Sequence, residues 1–365
     1  MRIFNEKPVL LRKYFASFTR IKMKKSYKSV IIAALLGLVC ACSCADNNYY
    51  KLRGYAQGGE YGITYKGASI PPEKVKEGAD SLLREIDLTL SGYNKGSLLS
   101  RLNRGEKVVI TPMFARLYRE SMQMWEQSGG AFDPASGALY DIWGFGFTSD
   151  SLPSQKKIES VLRQCGMGRL VDADTIDSWC KEGKEVTAAD LLKTPGGPAP
   201  ELNFNAIAQG FSCDLVYEYL KGLGVTDMLV DIGEIRCCGL NPGGKGWSIG
   251  IDNPVDGNNS PGEDIRDIWD SNGRDCGIVT SGNYRKFYIK DGVKYSHTID
   301  PRTGYPVTHS LLSATVVADS ASEADALATY FMVIGDKAAQ EYLSRRPELK
   351  ACLISSDGVW KSPGF

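Results

Sequence analysis

Histidine is scarce: the 365 residues hold two, His297 and His309. A chain this poor in histidine calls for a reason where one appears. Charge of one sign is missing too. Lys+Arg and Asp+Glu each number 43, so the formal net charge is zero. No basic excess marks a nucleic-acid footprint. Long apolar runs are also absent. Val30 to Val39 is the apolar stretch near the N-terminus, too short for a spanning helix of ~20 residues. Zinc patterns are missing as well. Three of the ten cysteines sit in the N-terminal stretch (Cys40, Cys42, Cys44). The others (Cys165, Cys180, Cys213, Cys237, Cys238, Cys276, Cys352) contain no CxxC and have no histidine close in sequence. Their odd number leaves at least one thiol unpaired within the chain. Buried apolar cysteines are the plain expectation.

What is present is ordinary globular composition, 43% hydrophobic and 24% charged, enough for one large core or two small ones. The stretch "MKKSYKSVIIAALLGLVCACSC" from Met23 has a basic start, a short apolar segment and small residues, the layout of a secretory signal. Its cysteines point to a lipoprotein signal with Cys42 lipidated and Cys44 as the alternative; a plain cleaved signal fits the same layout. Met23 is the expected true start. The expected organisation is a leader over 1–44, a polar tether over 45–53, and a domain over 54–365.

Along that domain, "AQGGEYGITYKG" reads as a strand. "PEKVKEGADSLLREIDLTLS" reads as a helix, opened by proline and carrying apolar residues at Val75, Ala79, Leu82, Leu83, Ile86 and Leu90. A second helix ends at Ser-Gly-Gly, and a third runs from about Ala206 to Leu223. "TDMLVDIGEIRCCGL", "GWSIGIDNP" and "LLSATVVADS" read as strands, and two strands flank "KDG". "VDGNNSPGEDIRDIWDSNGRD" reads as a polar loop. "SEADALATYFMVIG" and "KAAQEYLSRRP" read as helices, followed by a hairpin around "SSDG". No repeat recurs at fixed period. Strands and helices mix without βαβ alternation, so the class is α+β, one compact catalytic domain.

Several stretches carry chemistry. Asp325 and Thr329 in "EADALAT" lie four apart on one helix face. A carboxylate and a hydroxyl suit a hard cation such as Mg²⁺; a solvated helix face has the same pattern. In "YSHTIDPRTGYPV", Pro301 and Gly304 signal a turn, and His297 stands just before it. An imidazole with an ordinary pKa of about 6.5 can move a proton near neutrality, or be a structural histidine. In "IVTSGNY", Thr280 and Ser281 precede a glycine and suit either phosphate oxygens or a plain turn. Asn203 and Asn205 in "NFNAIAQGF" stand before a helix N-terminus, a place for an anion or an ordinary cap. Phe132, Trp143 and Phe145 in "SGGAFDPASGALYDIWGFG" are core by default and a stacking surface otherwise.

Taken in order, "AQGGEYGITY", "LSGYNKGSLLSRLN", "GGAFDPASGALYDIWGFG", "NFNAIAQGFSCD", "LVDIGEIRCCG", "WSIGIDNP", "VTSGNYRKF", "YSHTIDPRTGYPV" and "ADALATYFMVIG" resemble the ApbE family of FAD:protein FMN transferases. The resemblance runs from about Tyr55 to Gly335. It implies a T-fold-like flavin transferase architecture and an exported, often lipid-anchored protein that uses FAD and Mg²⁺. The implied reaction cleaves the FAD pyrophosphate, passes FMN to a Thr or Ser hydroxyl of an exported acceptor protein, and releases AMP. The implied acceptors are FMN-binding domains or subunits of membrane redox complexes.

Residue by residue, Asp325 and Thr329 match the family's side-chain metal ligands. Ala206, or Ala208 if the alignment slips by two, matches the ligand carbonyl. His297 matches the histidine beside the pyrophosphate and is the candidate base, with Asp300 or Asp325 in reserve. Gln57, Tyr93, Ala131, Phe132, Asp133, Asn203 and Gln209 match cofactor-contact positions. The chain departs from the family's pattern at Gln209, where Lys is frequent, at Glu234, where Gly is usual, and at Asn203, where Asp is common. His309 is read as incidental. Two other readings stand beside transfer: an Mg²⁺-dependent FAD pyrophosphatase using water, and a flavin-binding lipoprotein without chemistry.

Overall fold

Alternation of buried and exposed side chains begins at Tyr49, and there the sheet begins. The structure, a computed structural model, describes residues 48–145, 152–255, 258, 262–284, 287–290 and 293–365. The expected leader, with Cys42 and Cys44, lies outside the described residues. β1 (Tyr49–Ala56) and β2 (Gly59–Lys66) form an antiparallel hairpin. Its turn is Gln57-Gly58, with φ of 51° and 83°, the left-handed pair of a type I′ turn. So the one strand expected over "AQGGEYGITYKG" is a strand end, a turn and a second strand. The tether expected over 45–53 likewise gives way to β1 at Tyr49. Leu52 is buried there, and Tyr50 stacks on Tyr65 with centroids 5.5 Å apart.

Next come α1 (Pro72–Leu90), α2 (Leu98–Asn103), β3 (Val108–Val109) and α3 (Pro112–Gln127). Prolines open α1 and α3, where a missing N–H costs nothing. α1 buries Val75, Ala79, Leu83, Ile86 and Leu90 at helical spacing. α4 (Gly137–Ile142), α5 (Gln155–Leu162), α6 (Ala173–Glu182) and β4 (Glu185–Val186) precede α7 (Ala208–Gly222). The strands β5 (Met228–Asp231), β6 (Ile235–Cys238), β7 (Ser248–Asp252), β8 (Ile265–Asp270), β9 (Cys276–Gly282), β10 (Phe287–Lys290), β11 (Val293–Ser296), β12 (Ile299–Asp300), β13 (Tyr305–Pro306) and β14 (Leu311–Ala318) follow. α8 (Ala321–Ile334), α9 (Asp336–Ser344), β15 (Lys350–Ser355) and β16 (Gly358–Lys361) close the chain.

The main sheet runs β1-β2-β5-β6-β9-β14-β15-β16 with every neighbour antiparallel. The fold is therefore α+β, as the lack of βαβ alternation predicts. α8 packs on β9 and β14, and α7 packs on α8 and α1. β7 and β8 pair as a separate ribbon. The polar loop expected over 255–275 is corrected by β8: Trp269 is buried while Ile265 and Ile268 are exposed. Charged neighbours on both sides mask that strand in the sequence.

Strand alternation divides the interior. Along β9, Val279 joins the main core beneath the helices, whereas Cys276 and Ile278 face a second cluster with Trp247, Ile251, Trp269 and Cys352. A third cluster, Leu139, Trp143, Ile158, Val161 and Ile299, lies under the "DPRTGY" turn. There the Trp143 indole N–H donates to the Gly304 carbonyl at 2.8 Å. The seven described cysteines are free thiols, five of them buried.

Candidate active site

The site is built where α7 crosses α8. A Cβ on Gly210 would stand 2.2 Å from the Ala321 carbonyl oxygen and 2.8 Å from the Asp325 Cβ. A Cβ on Gly277 of β9 would meet the Ala321 nitrogen at 2.4 Å. Only glycine fits at either place, and the two together let α8 sink between α7 and the sheet. The first N–H groups of a helix have no partner within it. At α7 the Gly210 N–H donates to Asp325 Oδ2 at 3.0 Å. At α8 the Ala321 and Ser322 N–H groups donate to Asp214 at 2.9 and 2.8 Å. Each helix is thus capped by a carboxylate from the other.

The two carboxylates differ in compensation. Asp214 has the Arg236 guanidinium at 3.5 Å, and Arg236 also pairs with Asp275 at 2.6 Å. Asp325 is 5% exposed, and among the described residues no cationic side chain pairs with it. Burial pushes its carboxyl far above the usual range; the Gly210 N–H opposes that, and the charge of Asp214 adds to it. A buried carboxylate without a cationic partner among the described residues is one that a bound cation would stabilise in its charged form.

One turn along α8, the Thr329 hydroxyl lies 3.4 Å from that of Ser281 on β9. Thr280 points the other way. It pairs with the Thr315 hydroxyl at 2.8 Å, on the sheet face of the second cluster. Adjacent strand residues face opposite sides, so the expected Thr280–Ser281 pair is split, and only Ser281 reaches Thr329. Beyond β9, the Asn283 carboxamide oxygen accepts the hydroxyls of Ser296, at 2.6 Å, and Thr298, at 2.5 Å. His297 lies between those two, with its ring edge-on to Phe145 at 6.3 Å.

The other predicted residues make separate local contacts. Gln57, at the tip of the first hairpin, donates to the Ser212 hydroxyl of α7. Ser212 in turn donates to the Ala208 carbonyl at 2.6 Å. Gln209 donates to the Ile232 carbonyl at 3.4 Å. Ala206 lies half-buried in the turn before α7. Asn203 caps locally, accepting the Asn205 N–H at 2.9 Å, and its own N–H donates to the Pro134 carbonyl at 2.7 Å. Asn205 donates to the exposed Tyr93 hydroxyl at 3.3 Å. Ala131 and Phe132 are buried, Phe132 within the main core. Asp133 accepts the Ala135 and Met167 N–H groups at 2.9 and 3.1 Å. Burial nevertheless pushes its carboxyl up to about 6.

Asp300 is committed elsewhere: both of its oxygens accept from the Arg302 guanidinium, at 3.0 and 2.8 Å. His309 is structural, bridging the Met332 carbonyl at 2.8 Å and the Leu311 N–H at 3.3 Å. Sequence reading gave no role to Asp214 or Asn283. Asp214 had a signal, a charge amid the buried face Gly210, Phe211, Cys213 and Val216 of α7. Asn283 had none, because its partners lie across a hairpin.

The arrangement sets a buried carboxylate and hydroxyl oxygens at one helix crossing, and carries His297 on the segment that Asn283 ties to the end of β9. Comparison with known proteins gives the family. Residues 57–353 match the ApbE family, and the chain belongs to that family. A relative from Haemophilus influenzae, named FAD:protein FMN transferase, is 30% identical over 92% of this chain and 94% of its own length. One of the same name from Escherichia coli K12 is 31% identical over 83% and 85%. The flavin transferase ApbE from Vibrio cholerae superposes with a TM-score of 0.71 at 28% identity, covering 86% of this chain and 96% of that one. The Pseudomonas stutzeri flavinyl transferase ApbE, in its apo form, gives 0.72 at 29%, covering 87% and 95%.

Proposed function

We propose that this chain is an FAD:protein FMN transferase that moves the FMN half of FAD to a Thr or Ser hydroxyl of an exported acceptor protein. One observation carries the reading: the 3.0 Å contact between Gly210 and Asp325. It brings the "NAIAQG" turn against the "ADALAT" helix, which carries the Asp325 carboxylate and, one turn on, the Thr329 hydroxyl.

A divalent cation fits there. Among the described residues Asp325 is buried with one N–H partner and no cation, Thr329 supplies a hydroxyl, and Ala206 supplies a carbonyl before the helix begins. Ala206 suits this better than Ala208, whose carbonyl already accepts the Ser212 hydroxyl. Among the described residues no three His, Cys, Asp or Glu side chains gather as a metal group, and this oxygen set needs only one of them. Hard cations such as Mg²⁺ are often held by one or two carboxylates plus substrate phosphates. The chemistry supplied is charge neutralisation on the pyrophosphate oxygens, worth several kcal/mol.

The chain's own residues do the rest. Phosphoryl transfer needs the nucleophile held in line and its proton removed. His297 takes the acceptor hydroxyl's proton on a ring nitrogen. The hydroxyl oxygen bonds to the FMN-side phosphorus, the P–O bond to the bridging oxygen breaks, and AMP leaves with that oxygen. Asp300 suits the base role less well, since Arg302 holds both of its oxygens. At the α7 N-terminus, where the Ala208 and Gly210 N–H groups are taken by Phe204 and Asp325, the side-chain amides of Asn203, Asn205 and Gln209 are the donors for the phosphates. Gln57, Tyr93 and Asp133 are the proposed contacts for the rest of FAD.

The expected setting is outside the cytoplasm, with Cys42 as lipid anchor and the acceptor an exported FMN-binding domain or membrane redox subunit. No helix among the described residues is long and apolar enough to cross a membrane. Labelling with a fatty-acid analogue, lost in Cys42→Ala, tests the anchor. The reaction is tested by AMP release from FAD with an acceptor present: EDTA and Asp325→Ala should each abolish it. AMP release that ignores both would overturn the site. Free FMN matching the AMP would make the enzyme a pyrophosphatase, and bound FAD with neither product would make it a carrier.

A further inference from the structure

The sequence around His297 explains its place in a turn but not what holds the ring. Ser296 and Thr298 flank it, and both are buried, at 7% and 8% exposure. Their hydroxyls converge on one atom, the Asn283 carboxamide oxygen. Asn283 is itself 7% exposed and is anchored by its own N–H, which donates to the Leu312 carbonyl of β14 at 2.9 Å. The Thr298 N–H closes the bend by donating to the Ser296 hydroxyl at 3.0 Å. The backbone on both sides of His297 is therefore tied to the main sheet through one side chain. Asn283 lies two residues beyond Ser281, which faces Thr329. One short segment thus reaches both halves of the site.

We propose that Asn283 is the positioning residue for His297, holding its two neighbours so that the imidazole is presented on the Phe145 side. This rests on the reading of His297 as the base. The required chemistry is narrow. Both donors are hydroxyls, so position 283 must supply an acceptor oxygen at that reach. Aspartate keeps such an oxygen; alanine and leucine do not. Two hydroxyls on one buried acceptor fix an angle as well as a distance, and small misplacement of a reacting group is costly.

The chain has two histidines, which makes the test direct. In ¹⁵N-histidine-labelled protein, ring signals are assigned with His297→Ala. Asn283→Ala is expected to move the His297 ring signals and leave those of His309 in place. It should lower kcat for FMN transfer roughly 10-fold, short of the ~10²–10⁴ a proton-transfer group contributes. KM for FAD should stay within about twofold. Asn283→Asp should restore the ring signals and most of kcat, and Thr298→Val, which removes one of the two bonds, should give a smaller displacement of His297 alone.

Unchanged His297 signals and kcat in Asn283→Ala would overturn the proposal. So would equal impairment in the Ala and Asp variants, or shifts at His309 as large as at His297, which would mark a general loss of packing. The base reading is judged separately: transfer surviving in His297→Ala would end it, while the ring signals would still decide what Asn283 holds.

Discussion

Asp214 and Asp325 cap each other's helices. Asp214, on α7, receives the first two N–H groups of α8 at 2.9 and 2.8 Å. Asp325, on α8, receives an N–H from the first turn of α7 at 3.0 Å. One carboxylate is balanced by Arg236; the other faces no cation among the described residues. The same geometry therefore gives one acid a structural task and leaves the other available for a ligand. Asp214→Ala strands two buried N–H groups, while Arg236 keeps its pair with Asp275, and should cost about 2–4 kcal/mol. Asp325→Asn keeps an acceptor for Gly210, so without metal it should be as stable as the wild type or more so, yet inactive. Urea midpoints at pH 8 with EDTA check this; equal destabilisation of both variants would contradict it.

The two histidines should separate by phenotype. His297→Ala should slow transfer by ~10²–10⁴ with FAD binding nearly intact. His309→Ala removes two hydrogen bonds, to Met332 and Leu311, and should cost about 1–3 kcal/mol of stability with turnover per folded molecule retained. Single-turnover rates and urea unfolding on both variants decide; equal losses of binding and rate in His297→Ala would recast it as a binding residue.

Gly210→Ala tests the helix crossing. The added methyl would lie 2.2 Å from a backbone oxygen, which cannot rotate away. A loss of about 2–3 kcal/mol or more is expected, with metal-dependent FAD binding weakened as α8 is pushed off α7. Gly222→Ala, near the end of the same helix with open space around it, serves as control and should not destabilise.

Asp133 gives a pH signature. Burial raises its folded pKa to about 6 from an ordinary 3.8, against the Ala135, Met167 and Trp125 N–H groups that lower it. A raised acid holds its proton more tightly in the fold. Its contribution is full below the unfolded value and is lost as pH rises toward about 6. Asp133→Asn keeps the two backbone bonds and removes that loss. Its stability relative to wild type should therefore rise by about 2–3 kcal/mol between pH 4 and pH 7.5. A difference that does not change with pH would contradict the assignment.

Legibility in the sequence followed locality. The helices of residues 72–90 and 112–127 announce themselves through proline starts and helical apolar spacing, and Asp325–Thr329 through i,i+4 geometry. The turn after His297 is equally local, written in Pro301 and Gly304. What stayed hidden depends on partners far along the chain. Thr280 and Ser281 look alike in sequence, and only the register of β9 against β14 shows that they face opposite sides. β8 was masked by Asp264, Arg266, Asp267 and Asp270 around its one buried aromatic, Trp269. Asn283 and Asp214 act across 13–15 and 107–108 residues of chain, distances that no local pattern encodes.

The most direct test of the account is the intact mass of an acceptor. An exported FMN-binding domain is incubated with the enzyme from residue 46 onward, FAD and Mg²⁺. The account predicts a gain of one FMN on the acceptor, matched by AMP, and lost in Asp325→Ala. An acceptor of unchanged mass, with FAD intact or with FMN appearing only in solution, would contradict it.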